Sequence, residues 1–150
     1  MAAVEKLLNE LANLLNADGL NYVVSLRLYQ LPYAPGARPE QYIAQALGPA
    51  VVVGGSSPAT GSEILAEVED ALRHAGNHGY GPSPVTLCSV EFNDSLRRVL
   101  SVIEQTVSAA TVTTKFSLKE GHPDVPVFWD FGFVLAGPRG AQVIIGSSSD

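Results

Sequence analysis

Val125-Pro126-Val127-Phe128-Trp129-Asp130-Phe131-Gly132-Phe133-Val134-Leu135, followed by the return Gln142-Val143-Ile144-Ile145-Gly146, constrains the architecture more tightly than any other segment. It holds the single Trp and three of the five Phe, and aromatic side chains bury the most surface per residue. Gly137-Pro138-Arg139-Gly140 separates the two runs with turn-forming residues, so the pair reads as an antiparallel hairpin at the centre of a sheet. Alternation puts Phe128 and Asp130 on one face and Trp129, Phe131 and Phe133 on the other. A carboxylate among aromatics must be solvated, paired or functional. The expected partner of Asp130 is Lys115 or Lys119, and Asp130 also stays a candidate contact for another molecule.

Working outward toward the N-terminus, Thr111–Lys119 alternates as a half-exposed strand with Thr113, Lys115, Ser117 and Lys119 on its outer face. Leu96, Val99, Leu100, Ile103 and Val107 recur at helical spacing behind a cap at Asn93-Asp94. Val85–Phe92 reads as a strand with Cys88 buried in it as a small apolar group. Ile64, Leu65, Val68 and Leu72 mark a helix, with Thr60 and Glu63 at capping-box spacing. Ala50–Val53 is a short β-branched run suited to a strand covered on both faces, and it leads into a Gly/Ser loop from Gly54 to Ser62. Pro39 opens a short helix that runs to Leu47. Residues 21–30 alternate as a strand, and Val4, Leu7, Leu8, Leu11, Leu14 and Leu15 form the stripe of a first helix stopped by Asp18-Gly19, the glycine suiting a left-handed cap.

The resulting order, α-β-α-β-α-β-α-β-β-β, predicts an α+β fold. It is a single domain over residues 1–150, with a mixed, mostly antiparallel sheet, about four helices packed on it and the C-terminal hairpin central.

Composition narrows the function. The chain has 150 residues, 46% hydrophobic and 16% charged, enough for one well-filled core and inconsistent with disorder. No apolar run approaches the ~20 residues of a membrane span. The N-terminus has no basic region ahead of an apolar stretch, and one cysteine forms neither an internal disulfide nor a ligand cluster. The expected compartment is therefore the cytoplasm. Fifteen acidic against nine basic residues give a formal charge of −6, which disfavours nucleic acid.

Motifs for chemistry are sparse. The loop Gly54, Gly55, Ser56, Ser57, Thr60 and Ser62 has the strand-loop-helix order that presents N–H groups to an anion, without the lysine and spacing of a phosphate loop. His74 and His78 are four apart, but Gly76 between them interrupts the helix a metal pair needs. His122 lies beside Asp124, an arrangement open to general-base chemistry and common in plain turns.

The favoured reading is a non-enzymatic protein-binding module, such as a cytosolic immunity-type inhibitor of a bacterial toxin or a regulatory adaptor. It would meet a basic protein through Tyr29, Tyr33, Glu63, Glu67, Asp70, Tyr80, Asp124 and Asp130. No cofactor and no metal site is expected. The rivals are a small ligand- or nucleotide-binding enzyme built on the Gly54–Ser62 loop, and a self-associating structural subunit, a homodimer burying the first helix or the edge of the hairpin.

Overall fold

The structure is a computed structural model that describes residues 2–150. Its elements are α1 (Ala2–Asn16), β1 (Val23–Leu31), α2 (Pro39–Leu47), β2 (Val52–Pro58), α3 (Gly61–Leu72), α4 (Pro84–Cys88), α5 (Val90–Ala109), β3 (Val112–Glu120), β4 (Trp129–Gly137) and β5 (Gly140–Ser149). The five strands form one sheet in the order β1-β5-β4-β3-β2, and every neighbouring pair is antiparallel. The fold is α+β, with the β4-β5 hairpin inside the sheet and β4 its middle strand. The sheet is antiparallel throughout rather than mixed: α2 carries the chain from one edge strand, β1, to the other, β2, and α3, α4 and α5 return it to β3, beside β2 and opposite to it in direction.

The leucine stripe of α1 buries Leu8, Leu11 and Leu15. Together with Ile64, Val68 and Leu72 of α3 and Phe92, Leu96, Val99 and Ile103 of α5, it covers the sheet face that carries Val24, Leu28, Phe131, Phe133, Leu135 and Ile144. The opposite face carries Phe116, Val134, Ala136, Val143 and Ile145 under Tyr42 and Ile43 of α2. Two strand glycines exist to admit rings. A Cβ on Gly132 would lie 2.7 Å from the Phe116 ring, and one on Gly146 would strike Phe131.

Three local expectations give way. Val85–Phe92 is not a strand. Ser83 Oγ accepts from Val85 N–H to start α4, with Pro84 in its first turn, and Ser89 Oγ accepts from Phe92 N–H to start α5. Two serine caps six residues apart break the run into helices, so Cys88 is exposed on α4 rather than buried in a strand, and the described residues form five helices. Gly54–Ser57 belong to β2, which continues to Pro58 and pairs with β3 through two register irregularities. Gly19 does not adopt the left-handed conformation; it is small because a Cβ there would meet Tyr22 O at 2.9 Å.

Candidate functional site

The strongest concentration of unusual chemistry lies at one end of the sheet, where β1 begins, β5 ends and β4 begins. Two extra segments converge there. One is the α3-α4 connection, joined by paired Leu20 and Gly81 backbone hydrogen bonds at 2.9 and 3.0 Å. The other is the β3-β4 connection, in which Val127 N–H and Phe128 N–H both donate to Ser148 O at 2.8 and 3.2 Å.

That double donation displaces Phe128 from the alternation of β4. Phe128 therefore packs on the helix-covered face beside Trp129, not on the face of Asp130 as strict alternation predicts. Its ring stacks on Tyr80 with centroids 4.0 Å apart and lies 5.7 Å from Tyr22. His74 stacks on both tyrosines, at 6.0 Å from Tyr80 and 6.4 Å from Tyr22. Trp129 Nε1–H donates to Tyr22 Oη at 2.6 Å. Burial holds the Tyr22 phenol protonated to higher pH than an ordinary tyrosine.

On the opposite face, Arg27 grips Asp124 in a two-pronged ion pair, Nε–H to Oδ2 at 2.8 Å and Nη2–H to Oδ1 at 2.7 Å. The Arg27 hydrogen bonds hold the Asp124 carboxyl below the usual carboxylate range, and Asp124 in turn raises Arg27. Asp124 N–H donates to His122 Nδ1 at 3.0 Å. Burial favours the neutral imidazole and lowers the His122 pKa, opposed by the charges of Asp124 and Asp130. His122 Nδ1 is thus spent on backbone geometry, and its Nε2 has no hydrogen-bond partner among the described residues. Asp130 is exposed. β3 leaves β4 after Lys115, which lies opposite Phe133 rather than Asp130, and Asp130 joins no ion pair among the described residues.

The backbone is strained at this same end. The two non-glycine residues with positive φ among those described are Asn21 at 46° and Val125 at 48°. Asparagine tolerates this region and Asn21 Nδ2–H donates to Gly79 O at 3.1 Å, whereas a β-branched residue is a genuine outlier there. Four large apolar side chains are also exposed on these segments: Leu20 at 56%, Val23 at 49%, Val125 at 71% and Val127 at 54%.

Tyr80, Asp124 and Asp130, singled out from the sequence, meet at this end. Tyr29 is half-buried against the α2 core and Tyr33 lies exposed in the β1-α2 connection; neither joins them. Glu63, Glu67 and Asp70 lie on α3, where Glu63 closes a capping box with Thr60. The Gly54–Ser62 cradle is not a loop. Gly54, Gly55, Ser56 and Ser57 are strand residues, Ser56 Oγ–H donates to Glu40 Oε1 at 2.9 Å, and the Glu63 carboxylate already sits at the α3 N-terminus beside Thr60 and Ser62. No family model, curated protein or solved structure matches the chain. Among the described residues, no three His, Cys, Asp or Glu side chains gather in a group suited to a metal ion, and no helix is long and apolar enough to cross a membrane.

Sequence reading missed the exposed valines and leucine and the Arg27-Asp124 pair. Val125-Pro126-Val127 has an interior composition, and only its position ahead of the β4 ladder turns it outward. Arg27 and Asp124 are 97 residues apart, so no local pattern links them.

Proposed function

We propose that the chain is a non-enzymatic protein-binding module that meets a basic protein with this end of the sheet. The observation that carries the reading is the coincidence of exposed Leu20, Val23, Val125 and Val127 with exposed Asp130 and the Tyr80-Phe128 stack. Exposed apolar side chains rimmed by charge mark interaction sites, and anchored aromatics beside them supply contact area at little entropic cost. The polar groups support binding over turnover. Asp124 and Arg27 saturate each other, and His122 Nδ1 is held by a backbone N–H, so no acid-base pair is left poised on a reacting atom. The acidic face of α3, with Glu63, Glu67 and Asp70, supplies long-range attraction for a basic partner. A toxin or other enzyme of positive charge would fit such a surface, with the chain acting on it in the cytoplasm as an inhibitor or adaptor.

Affinity capture from the source cell tests the reading. The natural chain should retain a basic protein that is lost on a Val125→Lys/Val127→Lys/Asp130→Lys variant of unchanged circular dichroism. Equal retention on both, or none above background on either, overturns it. A thermal midpoint raised by phosphate or nucleotides would instead favour a ligand site at the α3 N-terminus.

A further inference from the structure

β1 is an edge strand, and its outward backbone groups are distributed in a way that specifies a partner. In an antiparallel ladder, alternate residues direct N–H and C=O to opposite sides of the strand. The side chain of Asn16 identifies the outward set. Val24 N–H donates to Asn16 Oδ1 at 2.7 Å, and Asn16 Nδ2–H donates to Val24 O at 3.0 Å, so Asn16 stands where a neighbouring strand would. Val24 therefore faces away from β5, and so do Leu26, Leu28 and Gln30. At the other end Pro32, which is next in that series, has no N–H. Among the described residues the unpaired run is thus Leu26, Leu28 and Gln30, closed by Asn16 on one side and by Pro32 on the other. It is symmetric about Leu28.

We infer that β1 joins a second copy of this chain edge to edge, antiparallel across a two-fold axis at Leu28, and so extends the sheet through the dimer. This register pairs Leu28 with Leu28 of the partner subunit, and Leu26 with Gln30 of the partner subunit, through about six interchain hydrogen bonds. The side chains agree with it. On the α2 face, Arg27 falls opposite Tyr29 of the partner subunit, twice by symmetry, with backbones about 4.5 Å apart at such a non-hydrogen-bonded pair. A guanidinium already bound to Asp124 keeps its flat face free to stack on a phenol ring. On the helix-covered face, a cleft of about 240 Å³ lies beside the strand, lined by Leu8, Leu26 and Leu28 with Glu5 and Asn9, and leaves room for the partner's side chains.

The opposite edge of the sheet is protected by the devices edges ordinarily carry. β2 has register irregularities at Val53 and Gly55 and ends on Pro58. β1 is nine residues long and pairs with β5 without interruption. The hairpin, by contrast, offers no edge, since β5 lies between β1 and β4.

Sedimentation of the full chain over a concentration series should resolve a monomer-dimer equilibrium. Gln30→Pro, which removes an outward N–H and leaves the β5 ladder intact, should raise the dissociation constant about tenfold or more. Residue-resolved hydrogen exchange on the natural chain provides a second measurement in case that variant fails to fold. Exchange at Leu26, Leu28 and Gln30 should slow as concentration rises, with Tyr29 unchanged. A chain that stays monomeric at millimolar concentration overturns the inference. So does a dimer in which exchange at these three amides is independent of concentration.

Discussion

At the scale of single residues, Val125 and Asp124 form one unit. A valine at φ 48° costs on the order of 1–2 kcal/mol relative to a residue at home in the left-handed region. What holds it there is the ion pair of its neighbour Asp124 and the anchoring of Val127 N–H on Ser148 O. Val125→Asn is expected to raise stability by about 1 kcal/mol in chemical denaturation, since asparagine tolerates this backbone region. It should simultaneously weaken capture of the partner if Val125 is a contact. Asp124→Asn removes a charge-assisted pair whose arginine is 44% exposed, and the expected loss is about 1 kcal/mol. Gly132→Ala forces a methyl group against the Phe116 ring and should cost about 1–3 kcal/mol with the fold retained. The sequence shows why Gly132 is unusual within an aromatic strand, but the ring that demands it comes from another strand.

Elements explain which parts of the chain were readable. The stripes of α1, α3 and α5 and the alternation of β1 and β3 are visible because each of these elements buries one face more than the other, so periodicity and burial coincide, whereas β4 is buried on both faces and is legible from its aromatic run instead. α3 is the best-specified start, with Thr60 and Glu63 exchanging hydrogen bonds at 3.2 and 3.3 Å. Thr60→Ala should lower stability by about 1 kcal/mol, read from the midpoint of denaturant unfolding. Val85–Phe92 misled because short apolar runs fit strand and helix alike, and the two serines that decide for helix look like ordinary loop residues. Gly54–Ser57 misled in the opposite sense. Their composition is that of a loop, yet pairing with β3 draws them into an edge strand, where irregular register is tolerated. The candidate site was legible only in fragments, through Tyr80, Asp124 and Asp130. The displacement of Phe128 onto Tyr80 depends on a two-to-one pairing with Ser148 that no strand period encodes.

For the molecule as a whole, acid should act through the polar side of the site. The His122 pKa is lowered in the folded state, so folding favours its neutral form. That contribution is complete above the ordinary histidine value near ~6.5 and is lost as pH falls toward the folded value. The Asp124 pKa is also lowered, and its contribution is present above the ordinary carboxylate range and lost as pH falls through the folded value. Stability should therefore decline in two steps on acidification. His122→Gln should flatten the step beginning near ~6.5 and leave the lower one in place, as measured by thermal midpoints across pH.

The α+β class, the central aromatic hairpin, the amphipathic helices and the net negative charge were all legible in the chain's own order of residues, because side-chain period, turn residues and charge do not depend on which distant segments meet. Tertiary structure alone decided the antiparallel order of the strands, the pairing of Arg27 with Asp124 and the gathering of Leu20, Val23, Val125 and Val127 at one end of the sheet. These depend on which distant segments come together, and that is settled by burying three helices on one face of the sheet and one on the other. The hairpin organises that burial. Its entrance, where regular pairing with β5 has not yet begun, is where the proposed partner surface forms.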